Sequence, residues 1–145
     1  MFKKILVPTD GSERSEQAIQ GAIELAKALS TEILLLTVVE PYSYTNLSEY
    51  RPETIDEYDT RVTLEADACL DKAHDLCLKA GLTQVRTEVV KAFSPAEAII
   101  EAAQQHQCDL ILMASHGRKG ISALLLGSET QKVLTHSRIP VLVYR

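Results

Sequence analysis

The chain has 145 residues, 46% of them hydrophobic, which suits one domain over residues 1–145 with a sizeable core. Its net charge of −5 argues against a nucleic-acid partner, because a phosphate backbone needs a basic face, and no apolar run approaches the roughly 18 residues of a membrane span. The three cysteines include no CxxC pair, and Cys69 and Cys77 fall too far apart along one predicted helix for a disulfide, so a reduced, cytoplasmic setting is expected.

The opening MFKKILVPTD carries a lysine pair and a short apolar run that ends at Pro8 and Asp10. No longer apolar stretch or small-residue cleavage site follows, so Lys4 to Asp10 is expected as a first strand and not as a signal peptide. Ser12 is a candidate N-cap, with Glu13 favouring the helix dipole. The helix runs to about Leu29, with Ala18, Ala22, Leu25, Ala26 and Leu29 on one face. Ile33 to Val39 is continuously apolar, the pattern of a parallel strand buried on both sides. Pro41 to Asp59 is polar, holds tyrosines and two prolines and lacks a period, which predicts a loop whose tyrosines either shield a ligand or stand exposed.

The next helix spans about Thr60 to Ala80, with Val62, Ala66, Cys69, Ala73, Leu76 and Ala80 inward and Gly81 closing it. Val85 to Ala92 alternates and forms strand three. Ser94 and Pro95 supply an N-cap and a proline at the first helical position; Ala98, Ile99, Ala102 and Ala103 face inward, and the helix ends near Gln107. Asp109 to Ala114 is strand four, Ser128 to about Ser137 the last helix, and Pro140 to Tyr144 strand five. Five strands alternating with four helices predict a single-domain, doubly wound α/β fold with a parallel sheet and right-handed crossovers. In such sheets ligands bind beyond the carboxyl ends of the strands, where strand order reverses.

The connection after strand four carries the chemistry. Gly117 and Gly120 are followed by an apolar patch, Ile121 to Leu126, and then by Gly127-Ser128 at a helix start. Glycine lets backbone N–H groups approach a ligand, and a helix N-terminus offers orphan donors and the positive end of the macrodipole. Strand, glycine loop and helix start together describe an anion site, most naturally for the phosphates of a nucleotide. No Gly-Lys-Ser or Gly-Lys-Thr closes a Walker A loop, and no GxGxxG follows a strand. What stands is Ala114-x2-Gly117-x9-Gly127-Ser128.

Each of these residues also has a plainer reading. Asp10 would cap the Asp-Gly-Ser turn, and Gly127-Ser128 would merely start a helix. His116 is expected as a solvated loop histidine before a phosphate contact. Arg118 and Lys119 either clamp phosphates or sit in water. Leu124, Leu125 and Leu126 are expected to pack under the loop.

The motif resembles the G-x2-G-x9-G-[ST] pattern of the universal stress protein family, with Ala114 in place of the first glycine. The resemblance extends through KKILVPTDGSE, the apolar second strand, SPAEAII, DLILMASHGRKG, LLLGSETQKVL and IPVLVY, and so covers essentially the whole chain. It implies a sheet of strand order 3-2-1-4-5 and a homodimer. One branch of the family binds ATP through the motif, and another lacks both motif and nucleotide. Carried over residue by residue, it implies Asp10 at the ribose or at a metal-bound phosphate, with Mg²⁺ or Mn²⁺ as the metal. Pro8, Thr9 and Val38 would border the adenine, Val38 through its backbone. Met113 and Ala114 would lie near adenine and ribose, and Gly117, Gly127, Ser128 and Thr130 at the phosphates.

The expectation is thus an ATP-binding regulatory protein of the stress response, a homodimeric sensor or switch with at most slow hydrolysis, read by an unknown protein partner. Strand five, with Val141, Leu142, Val143 and Tyr144 on a sheet edge, is the expected dimer contact. Two alternatives remain: a nucleotide-free dimeric interaction module, and a slow ATPase. A receiver-type signalling domain is excluded, since it needs a phosphorylated aspartate ending strand three, where Lys91-Ala92-Phe93 stands.

Overall fold

Apolar runs too short for helices become strands, and the amphipathic stretches between them become the helices that cover both faces of the sheet. The computed structural model describes residues 1–43, 53–117 and 126–145. In chain order these form β1 (Lys4–Pro8), α1 (Glu13–Leu29), β2 (Glu32–Val39), α2 (Ile55–Lys79), β3 (Val85–Lys91), α3 (Pro95–Gln105), β4 (Leu110–Ala114), α4 (Ser128–His136) and β5 (Val141–Tyr144). All neighbouring strands run parallel, in the order β3-β2-β1-β4-β5. The predicted doubly wound α/β fold, with its strand order, is the fold of the chain.

Alternation along the central strands divides the core into two layers. Ile5, Val7, Ile33, Leu35, Leu110 and Leu112 pack against Ala18, Ile19, Ala22, Ile23 and Ala26 of α1 and against Leu70, Ala73 and Cys77 of α2. On the other face Leu6, Leu34, Leu36, Ile111 and Met113 meet Ala96, Ile99, Ala102 and Ala103 of α3 and Val133 of α4. β4 is buried at every position, as its unbroken apolar run requires. α1 turns its inward face slightly from the expected one: Ile19 and Ile23 are buried, while Leu29 is exposed in the last turn. In α2, Leu70 and Cys77 are buried beside Ala66 and Ala73, where the sequence pointed to Cys69 and Leu76.

Helix ends follow local chemistry. Ser12 accepts from Ser15 N to start α1, and Ser94 accepts from Glu97 N at the start of α3, with Pro95 behind it. α2 closes with Gly81 at φ +92°, its N–H donating to Leu78 O at 2.9 Å while Leu82 N–H donates to Cys77 O at 3.1 Å; a left-handed glycine here satisfies two terminal carbonyls.

One boundary lies more than two residues from expectation. α2 begins at Ile55, inside the predicted loop, because Thr54 and Glu57 make a reciprocal capping box: Glu57 N donates to Thr54 Oγ1 at 3.1 Å and Thr54 N to Glu57 Oε2 at 3.0 Å. Tyr58 consequently lies on the helix, buried, with its hydroxyl donating to Glu40 O at 2.9 Å. The ring of Tyr42 meets it edge-on at 5.4 Å, and Arg61 lies over its face. These two tyrosines are therefore structural; Tyr44 and Tyr50 fall outside the described residues.

Strand order reverses between β2-β1 and β4-β5. The carboxyl ends of β1 and β4 therefore lie side by side, with no shared crossover to cover them. This is where Pro8-Thr9-Asp10 and Ala114-Ser115-His116-Gly117 emerge.

Candidate functional site

β1 delivers Thr9 and Asp10 to this edge. Thr9 is buried, its N–H bonded to Leu36 O at 2.8 Å and its carbonyl accepting from Thr37 Oγ1 at 2.9 Å. Its hydroxyl lies 3.2 Å from Ser15 Oγ and 3.8 Å from Cys69 Sγ, so a small polar cluster locks the end of β1 to α1 and α2. Asp10 is half-buried and its Oδ1 accepts from Ser12 N at 2.9 Å. The plainer reading of Asp10, a cap on the Asp-Gly-Ser turn, is therefore real. It is not the whole environment: a Cβ on Gly117 would fall 2.7 Å from Asp10 Oδ2. The carboxylate thus stands directly against the backbone of the glycine loop, as the topology predicts.

β4 delivers Ala114 to Gly117. Met113 and Ala114 are buried with their side chains in opposite core layers, so only their backbone faces the edge. Ser115 joins three elements. Its N–H donates to Tyr144 O at the end of β5 (2.9 Å), its carbonyl accepts from Gly127 N (2.8 Å), and its hydroxyl accepts from Arg14 Nη1 (3.4 Å). His116 is buried rather than solvated, which corrects the sequence expectation. Its Nδ1 takes Arg14 Nη1 at 3.1 Å and lies 3.0 Å from Ser115 Oγ, so α1 pulls the ring inward. Gly117 is exposed.

α4 supplies the helix start. Gly127 occupies its N-cap at φ −60°, ψ 152°, and as a glycine brings no side-chain cap to the first turn. A glycine stands here for room and not for conformation: an added Cβ would lie 3.3 Å from both His116 Cα and Ser115 O. Ser128 is exposed at the first helical position. Thr130 is buried, and its hydroxyl donates to Ala114 O at 3.0 Å, tying α4 to the end of β4. Glu129 reaches sideways instead, its Oε2 accepting from Ala96 N at 2.9 Å in the first turn of α3.

Nine of the ten residues singled out from the sequence therefore gather on the ends of β1 and β4 and the start of α4: Pro8, Thr9, Asp10, Met113, Ala114, Gly117, Gly127, Ser128 and Thr130. Val38 sits one strand further out, near the end of β2, half-buried and paired in register with Val90. Arg14, Ser115 and Glu129 were not singled out, although each holds part of the frame. A serine after a buried strand and a glutamate in the first turn of a helix are signals, but neither names its partner. Arg118, Lys119, Leu124 and Leu125 fall outside the described residues.

Among the described residues the edge can offer the backbone of Gly117, the first turn of a helix whose N-cap is a glycine, a serine hydroxyl and one carboxylate. That set suits a phosphate. Among the described residues no group of three or more His, Cys, Asp and Glu stands ready to hold a metal. A Mg²⁺ ion arriving with phosphates needs no such group, because one carboxylate, phosphate oxygens and water complete its shell. Asp10 fits that part. The cysteines do not belong to the site: all three are free, and burial pushes the Cys77 and Cys108 thiols up to about 11. No helix among the described residues is long and apolar enough to cross a membrane.

Sheet order and the switch point between β1 and β4 together define a doubly wound α/β protein. The family follows directly: the chain belongs to the universal stress protein family, whose family model matches residues 1–145. Universal stress protein MJ0531 of Methanocaldococcus jannaschii is 33% identical over 100% of this chain and 83% of that protein. The solved structure of MJ0577, from the same organism, superposes with a TM-score of 0.83 at 31% identity, covering 99% of this chain and 95% of that one. A universal stress protein crystallised in complex with cAMP gives a TM-score of 0.76 at 26% identity over 99% of this chain and 97% of that one.

Proposed function

We propose that the protein binds ATP at the carboxyl edge of β1 and β4 and acts as a homodimeric sensor or switch in the stress response, with little or no hydrolysis. The observation that carries the reading is the meeting of three features at one point. The Asp10 carboxylate lies against the backbone of Gly117, and the first turn of α4 nearby is left without a side-chain cap at Gly127. A side chain at either glycine would close the space a phosphate needs.

In this reading Gly117, Gly127, Ser128 and the backbone of Thr130 hold the phosphates. The hydroxyl of Thr130 instead keeps α4 on β4. Pro8, Thr9 and the backbone of Val38, Met113 and Ala114 border adenine and ribose. Asp10 takes the ribose or a Mg²⁺ or Mn²⁺ ion riding on the phosphates; when bound, that ion neutralises phosphate charge. The relative solved with cAMP supports an adenine nucleotide as the ligand class. Homodimer contact is assigned to β5, the open edge next to β4.

Calorimetric titration with ATP and Mg²⁺ tests the proposal, with about one site per chain expected. Absence of binding up to millimolar ATP, with a dimer retained, would favour the nucleotide-free interaction module. Competition between ATP and cAMP decides which phosphate arrangement the edge prefers, and weaker binding of ATP than of cAMP would replace the triphosphate reading.

A further inference from the structure

The imidazole of His116 is an unspent donor. The residue is only 4% exposed, and its Nε2 is sealed from solvent with no hydrogen-bond partner among the described residues. Its other nitrogen is fully engaged. Arg14 Nη1 lies 3.1 Å from Nδ1, and a guanidinium can only donate, so Nδ1 must be the acceptor. Ser115 Oγ, 3.0 Å from the same nitrogen, is compatible with that role because a hydroxyl can donate or accept. The neutral ring therefore carries its proton on Nε2. Leaving a buried N–H unpaired costs free energy, and native proteins keep such groups rarely and for a reason.

We infer that His116 is a ligand-binding residue, its Nε2–H held in reserve for an oxygen of the bound polyphosphate; this rests on the nucleotide reading above and extends it. Three features point the donor toward an anion at this edge. The ring nitrogens diverge, so Nε2 lies on the side of the ring away from Arg14 Nη1. The backbone of the same residue abuts the glycine at the start of α4: the Cβ position of Gly127 is 3.3 Å from His116 Cα. Gly117, next in the chain, is exposed and without a side chain, so an anion taking its N–H would lie one residue along the chain from the ring. Arg14 then has two effects. It fixes the donor tautomer, and its charge favours an anion over a neutral acceptor. In a water-poor setting such a donor is worth more than one facing solvent.

The geometry also separates His116 from Thr130. The Thr130 hydroxyl is spent on Ala114 O, so its loss loosens α4, whereas among the described residues the Nε2 proton has no bond to abandon.

Two amide replacements divide the ring between them. His116→Asn keeps an acceptor near the Nδ1 position and loses the far donor; His116→Gln keeps a donor near the Nε2 position. Binding of ATP, inorganic tripolyphosphate and adenosine is measured for each by calorimetry. The expected result is a fall of about tenfold or more in affinity for ATP and tripolyphosphate in His116→Asn, the loss of one hydrogen bond to a charged group. Substantial recovery is expected in His116→Gln, with adenosine binding unchanged in both. Equal loss for adenosine, or equal behaviour of the two variants, would make the histidine merely structural and overturn the inference.

Because a core substitution can unfold the chain, the wild-type protein provides a second readout. In ¹⁵N-resolved spectra the ring is expected as the Nε2-protonated tautomer, with the Nε2–H resonance moving on addition of ATP or tripolyphosphate and not of adenosine. A resonance unmoved at saturation, as for a histidine bonded to an internal water, overturns the assignment. Should ATP fail to bind while tripolyphosphate still moves the resonance, the nucleotide reading falls and the phosphate donor stands. Should neither bind nor move it, both fall.

Discussion

At Gly117 and Gly127 the missing side chain is a matter of space. Neither has a positive φ, so alanine would meet no backbone strain there. A Cβ on Gly117 would press Asp10 Oδ2, a carboxylate that can swing aside, whereas one on Gly127 would press Ser115 O and His116 Cα, which are backbone. The two positions should therefore respond differently. Gly117→Ala is expected to leave the melting temperature within a few degrees while weakening ATP binding, because it displaces Asp10 from its turn. Gly127→Ala is expected to lower both affinity and stability, by about 1–3 kcal/mol for a crowded site. Paired calorimetry and thermal melts check this; equal stability loss in the two variants would refute the distinction.

The thiols give a second test at this scale. Burial pushes Cys77 and Cys108 up from 9.0 to about 11, so their neutral form is the folded one. A group whose pKa is raised by folding contributes fully below its unfolded value and is lost as pH climbs through the folded value. Stability should thus decline between about pH 9 and 11, and both thiols should resist iodoacetamide at pH 8 until the chain is unfolded. Rapid alkylation of Cys77 in folded protein would contradict its burial.

How far the site could be read in advance also depends on the residue. The placement of Asp10, Gly117, Gly127 and Ser128 at the sheet edge was legible because spacing and strand ends are local facts. The burial of His116 was not, because it is imposed by Arg14, 102 positions earlier in the chain, and no local pattern reports a partner at that separation.

Among the elements, the strands and helices were legible wherever periodicity was strong. β2 and β4 announce themselves as unbroken apolar runs, and the inward face of α3 is the expected one: Ala98, Ile99, Ala102 and Ala103. The start of α2 was missed although Thr54-x-x-Glu57 spells a capping box, since the polar Asp56, Glu57 and Asp59 interrupt the apolar period. β5 is the element with the most to reveal. It is four residues long, pairs on one side with β4, and leaves Leu142 and Tyr144 exposed. A short apolar edge invites pairing with a second copy across a two-fold axis. Light scattering should find a dimer for the wild type and a folded monomer for Val143→Lys, whose charge would have to be buried in the contact. A folded variant that stays dimeric would place the interface elsewhere. Because Ser115 donates to Tyr144 O and accepts from Gly127, the β5 edge and the start of α4 share one residue, so ligand affinity should be compared in the monomeric variant too.

For the molecule as a whole, the question is whether bound ATP is held or consumed. The donors at the carboxyl edge, backbone N–H groups and the first turn of α4, would stabilise bound phosphate in ground state and transition state alike, and uniform binding of that sort does not raise a chemical rate. Hydrolysis further requires a group to orient water and concentrated charge at the γ-phosphate. Asp10 is committed to Ser12 N and to the wall beside Gly117, and Glu129 is committed to Ala96 N, so among the described residues neither carboxylate is set up as a base. The protein should therefore bind ATP and release phosphate far more slowly than the roughly 1–1,000 per second of ordinary enzymes. Steady-state phosphate release with excess ATP and Mg²⁺ measures this. Turnover above about one per second that disappears in both Asp10→Ala and Ser128→Ala would make the molecule an ATPase; turnover well below that rate, with ATP still bound, leaves occupancy itself as the signal.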